Sequence, residues 1–498
     1  MSDEEFSPTR FGTAFKAFMD AMVAQATAGL SSPLLERIRV HVGVEPTRLP
    51  VIAEEFDTFE HPNVQVALDD YLGRPGRQAE LVGVAAENKR FMALSLSDLL
   101  SRRSGLAEGP VDYVNFHLAE GRVLSCVQFG LYLVTDREAR LVALVTGPSD
   151  RGGPCQRVRV EVIAAERQAC QRFLAELAEG MQRLNVYRGH VISLSPGQMG
   201  MGPQPLVAFH TLPRVQRSEV ILPEVLLERI ERHTLVFAAH AEQLLAVGRS
   251  LKRGLLLFGP PGVGKTLTVM YLAGHMPGRT VILTTGRGMG MIQAVAQLAR
   301  TLSPAMVVLE DVDLIAEQRG QPMLPTGPLL FELLNEMDGL RDDCDVIFVL
   351  TTNRPDLLEP ALAARPGRID LAVELPLPDA AGRRRLFELY ARGLELRGVE
   401  LDGLIARSEG ASPAYIKELL RKAAVLAASQ GAGAWITGQQ LDAAMEELSA
   451  GGQLAQRILG FRPAETPAAR PGGMPAATAP VAAGFPAVSW AARVENPH

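Results

Sequence analysis

Gly259-Pro-Pro-Gly-Val-Gly-Lys-Thr266 follows the short apolar run Arg253-Gly-Leu-Leu-Leu-Phe258 and precedes a helix-forming stretch, Leu267 to Ala273. The octapeptide fits G-x-x-x-x-G-K-[ST], and a strand before it with a helix after it is the setting its mechanism needs. Glycines let backbone N–H groups curl around phosphate oxygens, and the helix N-terminus adds partial positive charge. Gly259, Pro260, Pro261, Gly262, Val263, Gly264, Lys265 and Thr266 are therefore candidate nucleotide contacts. Lys265 is placed to reach the β- and γ-phosphates, and Thr266 to offer its hydroxyl to magnesium.

Working outward, strand and helix patterns alternate from this loop to about Leu375, which predicts a parallel sheet covered by helices. Met306-Val-Val-Leu309 is a buried-strand run ending in Glu310-Asp311-Val-Asp313, so acids fall at the carboxyl edge of the sheet, where open α/β folds bind ligands. One acid, Glu310, is assigned to magnesium and the next, Asp311, to the attacking water. Asp313 stays open between a functional residue and a solvated turn. A third run, Val346 to Leu350, leads to Thr351-Thr352-Asn353 and on to Ala361-Leu-Ala-Ala-Arg365-Pro-Gly-Arg368-Ile-Asp370.

The succession GPPGVGKT, VVLEDVD, FELLNEMDGL, TTNRPDLLEPALAARPGRID and GASPAYIKELLRKAA, over about 250 to 430, resembles the AAA group of AAA+ ATPases. The resemblance implies a P-loop α/β/α domain with a helical lid, ATP and Mg2+ as cofactors, and a homo-oligomeric, usually hexameric, ring with nucleotide at subunit interfaces. It implies that Asn353 is the sensor touching the γ-phosphate or the attacking water, and that Gly410 and Ala411 lie by the adenine. It also implies that Arg365 and Arg368 are arginine fingers reaching a neighbour's nucleotide. A cation arriving in trans would neutralise charge on the transferred phosphoryl group, and arginine's fork suits that task; the alternative for both is a surface turn beside Pro-Gly.

Three departures stand out. Glu310 precedes Asp311 where family members usually carry Asp then Glu, although translocase-type members share the Glu-Asp order. Ala363-Ala364 lengthens the segment before Arg365 by one residue. Gly286-Arg-Gly-Met-Gly290 lacks the aromatic that unfoldases of the family present to a threaded chain, with Met289 as a soft substitute.

Upstream, β-branched runs at Val111 to Leu118, Val123 to Thr135, Leu141 to Thr146 and Val158 to Ile163 predict an antiparallel sheet. A helix from Ala165 to Leu184 and strands near Val191 to Leu194 and Leu206 to Phe209 complete an α+β N-terminal domain, with Ser195 to Pro205 as a loop or hinge. Phe11, Phe15, Phe18 and Met22 predict an amphipathic helix over 11–28 that packs on something. Downstream, four helices at 380–392, 401–408, 413–429 and 438–449 form the lid; Ser412 before Pro413 and Thr437 with Gln440 supply the caps. Seven prolines and eleven alanines in the last 37 residues predict a flexible tail. The expected domains are 1–210, 211–376, 377–455 and 456–498.

A net charge of −6 gives no global reason to bind nucleic acid, and a start without a basic n-region or apolar core points to a cytoplasmic protein. No uninterrupted apolar run reaches the roughly 18 residues that span a bilayer. Cys126, Cys155, Cys170 and Cys344 are widely spaced with no C-x-x-C, so they predict core thiols. No H-E-x-x-H occurs, which argues against a zinc protease. Only six lysines are present, which makes each one worth locating. The expected function is a chaperone-like ATPase remodelling an unidentified protein client; the alternative is a nucleotide-gated assembly module with slow turnover.

Overall fold

The computed structural model describes residues 15–19, 22, 33–85, 94–101, 107–148, 157–197, 204–284, 291–313, 335–337, 339, 341–358, 368–431, 433 and 435–450. The first sheet is built from β1 (Ile52–Phe56), β2 (Arg77–Ala85), β3 (Ala107–Gly109), β4 (Asp112–His117), β5 (Val123–Asp136), β6 (Ala139–Thr146) and β7 (Val158–Ala164). These strands pair antiparallel in the order β1-β7-β6-β5-β2-β3, with β4 on β5. Helices α1 (Pro33–Val42), α2 (His61–Leu72), α3 (Leu96–Leu100) and α4 (Arg167–Arg183) flank it. Alternation along β6 serves both faces: Leu141, Ala143 and Val145 share a core with α2 and α4, while Val142 and Leu144 share one with α1 and α3. The four expected strand runs and the Ala165–Leu184 helix thus fall on β4 to β7 and α4. Of the amphipathic helix expected over 11–28, only 15–19 and 22 are described, and Phe15, Phe18 and Met22 are each more than half exposed.

β8 (Val191–Gly197) and β9 (Gln204–His210) correct the expectation that they finish this domain. β8 pairs parallel with β11 (Thr280–Thr284) of the second sheet, and β9 pairs antiparallel with β8. The described ends of the expected loop from Ser195 to Pro205 are accordingly paired strand, with Ser195 opposite Leu206 and Gly197 opposite Gln204, while 198–203 lie outside the described residues. Both prolines of these ends, Pro196 and Pro205, sit at the sheet's margin, where a missing N–H is tolerated. Short contacts seal the junction. Asn63 Oδ1 accepts from the Val186 N–H at 2.8 Å, Arg188 donates to the Ser303 carbonyl at 2.8 Å, and Gly189 N–H donates to Thr280 Oγ1 at 3.0 Å.

The second sheet runs β14-β10-β13-β12-β11-β8-β9, with β10 (Arg253–Phe258), β12 (Ala305–Leu309), β13 (Val346–Thr352) and β14 (Leu371–Glu374) all parallel to their neighbours. Near-continuous apolar strands are what a sheet buried on both faces requires. Leu256, Val307 and Leu309 enter one core with α7 (Ile292–Thr301), while Leu255, Leu257 and Val308 enter another with α5 (Glu224–Glu231) and α6 (Lys265–Gly274). The lid follows as α8 (Ala380–Tyr390), α9 (Leu401–Arg407), α10 (Pro413–Ser429) and α11 (Gly438–Ala450) around a core of Leu386, Phe387, Ile416, Leu419 and Leu441. Ser412 Oγ caps α10 by accepting the Tyr415 N–H at 3.1 Å, and Gln440 reaches back to the Thr437 N–H at 2.7 Å. Among the described residues no helix is long and apolar enough to cross a membrane. The expected tail, 456–498, lies outside the described residues, as do Met289 and the rest of the 286–290 loop.

Candidate nucleotide site

Strand order assembles the site. The chain leaves β10, builds β11 and β12 to one side, and returns through β13, which lies between β12 and β10. Residues just beyond β13 therefore stand between the loop after β10 and the acids after β12, at a crevice outside the carboxyl ends of the strands.

Gly259, Gly262 and Gly264 adopt φ of +146°, +78° and +99°. At Gly259 a Cβ would come within 2.4 Å of the Leu375 carbonyl oxygen, so the close approach of β14's exit excludes any side chain. The loop delivers Lys265 to the first position of α6. Its side chain is buried, and Nζ donates to the carbonyls of Gly259 at 2.8 Å and Pro260 at 2.9 Å and to Asn353 Oδ1 at 2.8 Å. Burial pulls the ammonium pKa below its ordinary value, and the charges of Asp311 and Asp313 push the other way.

Beyond β12, the Glu310 N–H donates to the Thr284 carbonyl at 3.2 Å, so the acid run starts still tied to the sheet. Asp311 then turns left-handed, φ +50°, a conformation that Asp and Asn reach more readily than other non-glycine residues. Thr351 Oγ1 accepts its N–H at 3.1 Å, and its carboxylate accepts from Asn353 Nδ2 at 3.3 Å. The Asn353 amide thus bridges Lys265 and Asp311. Asp313, left open by the sequence, is buried and bonded to Thr352 and Asn353.

A cleft of about 410 Å³ opens over this edge, lined on the sheet side by Gly262, Lys265, Thr266, Asp311 and Asn353. Its far wall is more apolar, with Val220, Ile221, Leu386, Tyr390 and Pro413 among the lining residues. Glu310 is half-buried at the strand end and is not part of the lining. Ala411 is fully buried in the lid core with Gly410 beside it, and the lid lines the cleft with Leu386, Tyr390, Pro413, Ala414 and Lys417. The Ala414 N–H donates to the Gly262 carbonyl at 3.2 Å, which joins the first turn of α10 directly to the phosphate loop. Lys417, one turn on, brings a second ammonium to the cleft, 6.0 Å from the centre of the Tyr390 ring. Sequence reasoning passed over Lys417; the scarcity of lysine was the one signal that could have marked it.

Arg365 lies outside the described residues. Arg368 precedes β14 at the opposite end of the strands: Asp370 accepts from the Gly254 N–H at 2.8 Å, at the start of β10, whereas the phosphate loop follows its end. Five residue steps of strand, about 17 Å, separate the two ends. The Arg368 backbone therefore sits far from its own chain's loop.

A sequence profile of the ATPase family associated with various cellular activities (AAA) matches residues 255–377. The ATP-dependent zinc metalloprotease FtsH 3 of Synechocystis sp. is 30% identical over 298 residues, which cover 57% of this chain and 46% of the relative. FtsH 1 of Sphaerobacter thermophilus is 32% identical over 303 residues, 58% of this chain and 44% of the relative, and that organism's FtsH 3 is 35% identical over 267 residues, 51% and 54%. The chain spans about half the length of the curated relatives it matches. A switch-point crevice built by this strand order, behind a loop and acid edge that the AAA profile covers, identifies the chain as one that carries an AAA+ ATPase module.

Proposed function

We propose that this chain is a magnesium-dependent ATPase that works as a ring, most simply a hexamer, and remodels a protein or protein complex. The observation that carries the proposal is the continuous link Lys265–Asn353–Asp311, which sets a phosphate-binding cation, an orienting amide and a carboxylate side by side in one cleft. Water attacks the γ-phosphorus, the bond to the β–γ bridging oxygen breaks, and ADP leaves. Asp311 takes the proton of that water, Asn353 orients it, and Lys265 holds the phosphate oxygens.

Thr266 and Glu310 are the residues that would hold magnesium, and both offer oxygen: Thr266 is exposed in the first turn of α6 and lines the cleft, whereas Glu310 is half-buried at the strand end outside that lining. Magnesium binds through one or two protein oxygens plus substrate phosphate and keeps several waters, so the donors present suit it without a dedicated cage. When bound it neutralises charge on the phosphates. The relatives are named as ATP-dependent zinc metalloproteases; these 498 residues contain no H-E-x-x-H, so only the ATP-driven half of that activity is proposed. Phosphate release measured with and without chelator, and with unfolded protein or DNA added, tests the reading. Stimulation by protein supports it, and absence of turnover in all mixtures leaves the nucleotide-gated module, which the shorter acid at Asp311 favours.

Two outcomes test the edges of the site. Lys417→Met keeps the apolar stem but removes the charge, and ATP affinity should fall about fivefold to tenfold at low salt; a fluorescent-nucleotide titration showing no change removes Lys417 from the site. Arg368, remote from its own loop, should act on a neighbour. Arg368→Ala should lower turnover about tenfold or more with ATP binding retained, and mixing it with Lys265→Ala protein should restore part of the activity. No recovery in rings proven to be mixed would return Arg368 to a structural turn.

A further inference from the structure

The ends of β12 and β13 are clasped beyond their ladder. The Asp311 N–H donates to Thr351 Oγ1 at 3.1 Å, and the Val312 N–H to the Thr351 carbonyl at 3.0 Å. Asp313 closes the clasp: one carboxylate oxygen, Oδ1, accepts from Thr352 Oγ1 at 2.8 Å and from the Asn353 backbone N–H at 3.3 Å. Asp313 is only 6% exposed, so it cannot serve as a group that meets solvent or substrate freely. A buried carboxylate is costly unless its acceptor capacity is used, and here donors come from Thr352, which ends β13, and from Asn353 directly after it. The second of those, Asn353, is the residue whose side-chain amide lies between Lys265 and Asp311.

We propose that Asp313 is a positioning residue: by holding the backbone of Asn353 and the hydroxyl of Thr352, it sets the point from which the Asn353 amide reaches between the phosphate-binding lysine and the general base. This rests on the reading of Asn353 as the residue that orients the attacking water. Hydrolysis is sensitive to such placement, because an error of about 1 Å in a reacting group costs on the order of 100-fold in rate. Asp313 touches neither nucleotide nor water in this scheme, and its positioning effect is exerted through Asn353.

The test is a double-mutant cycle read as kcat and KM for ATP. Asp313→Ala should lower kcat about 30- to 100-fold while KM moves less than about threefold. In an Asn353→Ala background the same change should alter kcat by less than about threefold, because nothing remains to be positioned. Asp313→Asn keeps an acceptor oxygen and should recover most of the lost kcat. Equal fold losses in both backgrounds, or an asparagine variant no better than alanine, would overturn the proposal. If Asp313→Ala fails to fold, Thr352→Val against Thr352→Ser decides: the valine should lower kcat and the serine should not, and two equal variants count against the clasp. A wild-type protein that turns over no more ATP than Lys265→Ala defeats the ATPase reading and this proposal with it. An active wild type indifferent to changes at 313 and 352 defeats the positioning role alone.

Discussion

Lys265→Ala should weaken ATP binding by about 100-fold or more, the largest change in affinity expected from any single substitution here. A charge-assisted contact to phosphate is worth about 1.5–3 kcal/mol, and this lysine is shaped to make more than one. The cation is already desolvated: its ammonium gives its three N–H donors to the Gly259 and Pro260 carbonyls and the Asn353 amide, and binding phosphate exchanges some of these partners for phosphate oxygens. Burial pulls its pKa below the ordinary lysine value, and the charges of Asp311 and Asp313 oppose that shift. The fold should survive, because the loop's path is set by glycine conformations and by the approach of Leu375 rather than by the lysine. Calorimetric titration with ATP, alongside a thermal melt within a few degrees of wild type, checks both halves. Near-normal affinity in the folded variant would move the phosphate site away from this loop.

Asp311→Asn should leave ATP binding almost unchanged and lower kcat about 10³-fold, within the range that a general base contributes. The substitution is clean for a structural reason. Asparagine tolerates the left-handed backbone at this position as well as aspartate does, and its side-chain oxygen can still accept from Asn353 Nδ2. The capacity to take a proton is lost, together with the negative charge that Lys265 feels. Glutamate, the acid more usual in the family, would add reach but is less at ease at φ +50°, which gives the shorter acid a physical rationale. Single-turnover measurement separates the outcomes: a variant that hydrolyses bound ATP at the wild-type rate would shift the base to another residue. Glu310→Gln, in contrast, should raise the magnesium concentration needed for half-maximal turnover.

Much of the second sheet was legible because its signals are local. A glycine loop between an apolar strand and a helix, acids directly after Leu309, and Asn353 directly after β13 each declare themselves within a few residues. Ser412 and Pro413 announced the start of α10 in the same way, through a cap that the structure contains. The failures share one cause, which is that partner choice is not written locally. β8 reads as a short strand of the upstream domain, yet its partner is Val281 to Leu283, some 90 residues along the chain, and only tertiary packing selects it. Lys417 carries no motif of its own; it reaches the cleft because the Ala414 N–H docks on Gly262, a contact between positions about 150 residues apart. Asp313 was visible as an acid and ambiguous as to burial, since alternation beyond a strand end does not say which side of a turn is covered. In the N-terminal sheet, by contrast, strand periodicity sufficed for β4 to β7, whereas the interleaved elements from 33 to 85 gave no comparably regular pattern.

The hydrogen bond between Ala414 and Gly262 makes α10 a lever with its fulcrum at the phosphate loop. Its 17 residues extend about 25 Å at 1.5 Å per residue. A tilt of about 5° at the Pro413 end would therefore carry the Ser429 end through about 2 Å, with no hinge inside the helix to absorb it. Displacements too small to matter among phosphate oxygens arrive at the outer surface of the lid magnified to the size of a side-chain contact, and the gain is fixed by helix length alone.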